Sequence, residues 1–164
     1  SIMMRALIQK RWGGIFVLTL PLLFSCRMAE PRDQVCFPGA CYDVELALTP
    51  ETRQRGLQRR TQMAADHGML FVFPKSSPYG FWMKETLIPL DMIWMDQSRR
   101  IVHIEERVPP CETTAQFCPV YTPPQPALYV LELNAGQAAE KRLKPGLTAE
   151  FHLSSQPPPE KTAP

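Results

Sequence analysis

Residues 42–48 alternate, with Val44, Leu46 and Leu48 on one side and Asp43, Glu45 and Ala47 on the other. A period of two with one apolar side predicts a half-buried strand. Thr49-Pro50-Glu51 supplies a hydroxyl N-cap, a proline at the first helical position and an acid in the first turn, which predicts a short helix over residues 50–60. The unbroken apolar run at residues 69–73 predicts a strand covered on both sides. Further strands are expected over residues 81–86, 88–95, 101–108, 127–133 and 148–153, with a second short helix over 135–143. Residues 109–126 hold six prolines and two cysteines, and predict a long stiffened loop. Many strands with short links and two small helices imply an α+β fold. The expected architecture is a compact, strongly bent, mainly antiparallel and barrel-like sheet.

The chain is 164 residues long and 45% hydrophobic, enough for one globular domain and too apolar for wholesale disorder. Its net charge of +2 would suggest an anionic partner if it belonged to the folded part. Residues 1–25 contain Arg5, Lys10 and Arg11 and no acid, which leaves 15 bases against 16 acids in the remainder. Nucleic acid is therefore not an expected partner.

Those basic residues precede an uncharged, mostly apolar stretch from Trp12 to Phe24, the pattern of an export signal. At ~1.5 Å per residue it reaches about 20 Å, short of a ~30 Å hydrocarbon core. It ends Leu23-Phe24-Ser25-Cys26, which resembles the bacterial lipoprotein signal. Residues 1–25 are expected to be the signal and Cys26 the lipidated residue, so that the membrane is a partner and the domain faces the periplasm. Release as a soluble protein is the alternative. Residues 26–41 read as anchor and linker, 42–153 as the domain and 154–164 as a disordered proline-rich tail. In an oxidising space Cys36, Cys41, Cys111 and Cys118 favour structural disulfides, with the local pairs Cys36–Cys41 and Cys111–Cys118 preferred. Zinc is the rival reading, but the gaps fit it poorly and no histidine stands close by.

Common catalytic signatures are missing, and His67, His103 and His152 lack metal-ligand spacing, so neither metal nor cofactor is expected. Two constellations carry candidate chemistry. Arg53, Gly56, Leu57 and Arg60 recur at helical spacing, which would place Arg53 and Arg60 beside buried surface. Each would pair with a carboxylate or bind an anionic ligand. The second constellation sets Trp82, Lys84 and Asp91 in an apolar stretch, with Glu132 similarly placed between apolar neighbours. Buried acids must be paired or hydrogen-bonded. Asp91 and Glu132, with Lys84, Arg53 and Arg60 as partners, could form a small-ligand pocket or a structural network. A hydrolase using Asp91 and Glu132 beside Lys84 is the catalytic alternative.

The run from Glu45 to Phe151 resembles the family called domain of unknown function 192. The resemblance rests on Thr49, Arg53, Gly56-Leu57 and Arg60, then Gly68-Met69-Leu70-Phe71. It continues through Phe81-Trp82-Met83-Lys84-x-Thr86-x-Ile88-Pro89-Leu90-Asp91 and ends in Tyr129 to Leu133, Ala135-Gly136 and Gly146. Glu85 and Gln58 depart from the pattern, which usually carries Asn and commonly Met there. The resemblance implies a compact α+β fold, often behind an export signal, and no established reaction. The expected function is non-catalytic binding of a small ligand or envelope protein.

Overall fold

A computed structural model describes residues 32–111 and 117–155. In chain order the elements are β1 (Gln34–Phe37), β2 (Ala40–Ala47), α1 (Pro50–Arg55), β3 (His67–Ser77) and β4 (Phe81–Trp82). These are followed by β5 (Leu90–Met95), β6 (Ile101–Val108), β7 (Val120–Tyr121), β8 (Ala127–Asn134), α2 (Gln137–Glu140) and β9 (Glu150–His152). Seven strands form one sheet in the order β6-β5-β8-β3-β2-β1-β9, and β4 pairs with β7 in a separate ribbon. Only β2 and β3 run parallel; the other pairings are antiparallel. The sheet curls until its ends meet. An isolated bridge joins Arg100 to Thr148, and backbone bonds link Ile101 with Leu147 and Arg99 with Ala149. The expected α+β fold with a bent sheet and two short helices is what forms.

Both faces of the sheet carry core, which follows from two interleaved apolar sets. On β5, Ile93 and Met95 join Val44, Leu70, Val72, Leu131 and Leu133 on one face. Leu90, Met92 and Trp94 join Ala47, Leu57, Met69, Phe71, Met83 and Val130 on the other. β8 is buried along almost its whole length, as a strand covered on both faces must be.

Three expectations need correction. Residues 26–41 are not all linker, because Gln34–Phe37 pairs with β2 and β9. The run 81–86 is a strand only at Phe81–Trp82. α1 ends at Arg55, where Gly56 takes φ +46°, so Arg60 does not share its face. Gly56 is also where a side chain would crowd the Phe71 ring, at 3.3 Å from an added Cβ. The helix start is as expected, with Thr49 and Thr52 forming a reciprocal capping box.

The preferred disulfides, Cys36–Cys41 and Cys111–Cys118, are both present. The first joins directly opposed residues of β1 and β2, and the second staples the proline-rich loop. Such bonds suit an oxidising compartment. No described helix is long and apolar enough to cross a membrane. The proposed signal and Cys26, and residues 156–164 of the expected tail, lie outside the described residues.

Candidate functional site

The two buried acids have opposite surroundings. Asp91 is fully buried, and its Oδ1 accepts from the backbone N–H of Arg107 at 2.8 Å and of Gly136 at 3.0 Å. Its Oδ2 accepts from Ala138 N–H at 2.7 Å. The carboxylate thus ties β5 to the bulged end of β6 and to the start of α2. Arg107 and Gly136 both hold positive φ, so these donors need a fixed acceptor to converge on. Among the described residues no cation pairs with Asp91 as was expected; backbone donors take that place.

Glu132 stands on the other face. It is opposite Met69 on β3 and Met92 on β5, whereas Asp91 is opposite Leu133. Residues directly across a ladder share a face, so the two carboxyls are separated by the thickness of the sheet. The single polar cluster expected to hold both Asp91 and Glu132 does not form, and the hydrolase arrangement that needs the two together has no geometric basis. Glu132 is 4% exposed, and burial pushes its carboxyl up to about 8. No hydrogen bond or ion pair among the described residues engages that carboxyl. No sealed side-chain polar atom in them lacks a partner either. The Glu132 oxygens are therefore open to the space above them.

That space is a cavity of about 250 Å³ between α1 with its following turn, β3, β4 and β8. Glu132 and the buried Thr86 line it, together with Phe71, Phe73, Phe81 and Trp82. Phe73 stacks on Tyr79 with centroids 3.6 Å apart, while Phe81 meets Phe71 and Trp94 edge-on. These aromatic contacts, mostly between the walls themselves, hold the walls in place.

Arg53, Arg55 and Lys84 bring positive charge to the same cavity. The half-buried Arg53 donates from one nitrogen to the carbonyls of Leu48 at 2.6 Å and Val72 at 2.9 Å. Its guanidinium lies 5.2 Å from the Phe73 ring centroid. It thus holds α1 to the sheet without the expected carboxylate partner. Arg60 does take one: it grips Glu45 through two bonds of 2.5 and 3.0 Å, with His67 3.3 Å from the same carboxylate. Arg60 lowers the Glu45 pKa. Arg60 does not line the cavity, so it leaves the candidate site. Lys84 lies 5.4 Å from the Trp82 ring centroid, on the exposed rim.

Of the six expected cluster residues, Arg53, Trp82, Lys84 and Glu132 come together, while Asp91 and Arg60 serve the scaffold. Of the aromatic walls, only Trp82 was expected; Phe71, Phe73, Tyr79 and Phe81 were missed. Phe71 and Phe73 lie two apart on β3 and so share a face, which was a readable signal. Tyr79 and Phe81 reach the site only through the turn into β4, which has no such pattern. Among the described residues no cluster of three or more His, Cys, Asp or Glu could hold a metal.

The family carrying the description "Uncharacterized ACR", domain of unknown function 192, matches residues 34–151. The chain belongs to this family. A family relative from Thermococcus gammatolerans, a UPF0127 protein, is 35% identical over 98 residues, or 57% of this chain. The match spans just 56% of that relative's length. Two solved structures share the fold at a TM-score of 0.65. One, described as a candidate transcription regulator from Sinorhizobium meliloti 1021, is 36% identical and matches 73% of this chain and 92% of its own. The other, a protein of unknown function from Novosphingobium aromaticivorans, is 31% identical over 73% of this chain and 83% of its own. The Gly68-Met69-Leu70-Phe71 and Trp82-Met83-Lys84 strings of the family thus supply β3, the rim and part of the walls. Glu85, where the family usually has Asn, has φ +55°. Asn adopts that left-handed conformation more readily than Glu. Glu85 faces outward and pairs with Arg59 at 3.4 Å.

Proposed function

We propose that this domain is a small-ligand-binding module of the cell envelope, tethered through a lipid on Cys26 and not itself a catalyst. The observation that carries the ligand site is Glu132, a buried carboxyl without a partner at the floor of a rigid, aromatic-walled cavity. Burial without a partner costs stability, and a ligand group would repay that cost by completing the hydrogen bonding. Apolar walls with a few convergent polar groups are the general form of a small-molecule site. The two disulfides, together with the basic and apolar leader, support export. Exposed Trp82, Leu87, Phe117 and Val120 support a protein partner as the second reading, since Trp82 and Val120 are opposed in the β4–β7 ribbon at the cavity mouth.

The test of the ligand is mass spectrometry of small molecules released on denaturing the protein purified from envelopes. A stoichiometric molecule should be released from the wild type and be depleted in Lys84→Glu and Trp82→Ala, which alter only the exposed rim. Release of nothing, or of the same molecule from all three proteins, would refute the site. Intact mass of the membrane-extracted protein tests the anchor; Cys26 without a diacylglycerol adduct would remove it.

A further inference from the structure

We infer that the ligand is a small carboxylate carried on a flat apolar ring. Its anion is held between Arg53 and the Glu132–Thr86 floor, and its ring lies among Phe73, Phe81 and Trp82. This rests on the ligand-site reading above and adds the chemical class.

Size comes first. A space of about 250 Å³ falls below the ~300 Å³ at which drug-sized pockets begin, so one ring with short substituents fits. The walls favour a flat ring, because Phe73 and Phe81 are themselves held at fixed angles by stacked and edge-on neighbours.

Charge decides the substituent. Arg53, Arg55 and Lys84 line the cavity, and among the described residues Glu132 is the one acid lining it. Other cations nearby are already matched: Arg60 with Glu45 and Arg59 with Glu85. Arg53 is not matched to a carboxylate, and one nitrogen makes both of its hydrogen bonds. The rest of its planar fork is of the kind that binds carboxylates.

The floor agrees. Across the sheet from Glu132 stand Met69 and Met92, and the next residues in that row are Glu45 and Glu105. Glu45 is held by Arg60 and His67, and Glu105 by His103 at 2.9 Å. Glu51 and Glu85 stand outside in a neighbouring surface depression shared with Arg55 and Lys84. At neutral pH Glu132 is protonated and donates its O–H to the bound anion, a charge-assisted bond. As pH rises past about 8 it loses the donor and sets a like charge beside the ligand.

The test is a backbone-amide chemical-shift titration of the full chain, disulfides formed, with benzoate, benzyl alcohol and benzylamine. Benzoate should shift Gly56, Phe73, Phe81 and Thr86 and bind at least about tenfold more tightly than either analogue. Its affinity should fall by about tenfold per pH unit above pH 8 in the wild type and stay level in Glu132→Gln. Lys84→Gln, on the rim, should weaken it severalfold without affecting folding. Equal or tighter binding of benzyl alcohol or benzylamine at these amides would overturn the carboxylate and leave the site standing. No shift there with any of the three would overturn both. Benzoate affinity independent of pH in the wild type would overturn the contact with Glu132.

Discussion

Replacing Glu132 by Gln should stabilise the protein, and by an amount that depends on pH. Gln preserves the shape and cannot ionise. Below pH 4.5, the ordinary value for a glutamate, the wild-type carboxyl is protonated in folded and unfolded chains alike, and burial costs no ionisation penalty. Between 4.5 and about 8 the unfolded chain releases the proton and the folded chain keeps it. The native state then binds more protons, so stability falls as pH rises through that window. At about 1.4 kcal/mol per unit, Glu132 costs about 3 kcal/mol at pH 7 and about 5 kcal/mol above pH 8. Urea denaturation of both proteins under oxidising conditions at half-unit steps from pH 4 to 9 measures the difference directly. Other titrating groups cancel between the two. The expected curve is near zero at pH 4, climbs to about 3 kcal/mol at pH 7 and levels at about 5 kcal/mol past pH 8. A difference that does not change with pH would mean that Glu132 meets solvent or a cation in the folded state. The desolvated, unpaired burial of its carboxyl would then not be as described.

Asp91→Ala should cost at least about 3 kcal/mol in denaturant midpoint analysis, because three backbone N–H groups lose their acceptor; an unchanged midpoint would show that the turn donors find other partners. Gly68→Ala should cost about 2 kcal/mol or more, since its Cβ would meet the Glu132 carbonyl oxygen at 2.6 Å, and thermal melts will show it. Glu85→Asn should raise the melting temperature slightly. Relief of the left-handed backbone at φ +55° contributes about 0.5–1 kcal/mol, and the exposed Arg59 pair it removes is worth less. A drop in melting temperature would show that the pair outweighs the backbone.

Much of the fold was legible because turn residues bracket its strands. β6 occupies the expected Ile101–Val108, fixed by the Asp96-Gln97-Ser98 turn before it and Pro109 after it. β1 was not legible. Its four residues are too few to show a period between the polar stretch before them and Pro38-Gly39 after, and what makes them a strand is pairing with β2 and with β9, the latter more than a hundred positions away. The helix start was readable from its cap, while its end was misplaced. Gly56 was expected inside the helix and is instead the residue that stops it.

The site shows the same division between local and long-range information. Each buried acid was visible as a polar residue in an apolar strand, because burial follows from the neighbours along the chain. Which acids share a face depends on register between strands, and no local pattern carries it. Asp91 and Glu132 therefore looked like members of one cluster and stand on opposite faces. Separating them also separates their roles. Asp91 answers three backbone donors and is accounted for by the fold alone. Glu132 answers nothing in the fold, weakens it at neutral pH, and sits where Arg53 and the aromatic walls converge. An apolar residue would serve the scaffold better at position 132, so the physical case for a ligand rests on what the fold gives up to keep a carboxyl there.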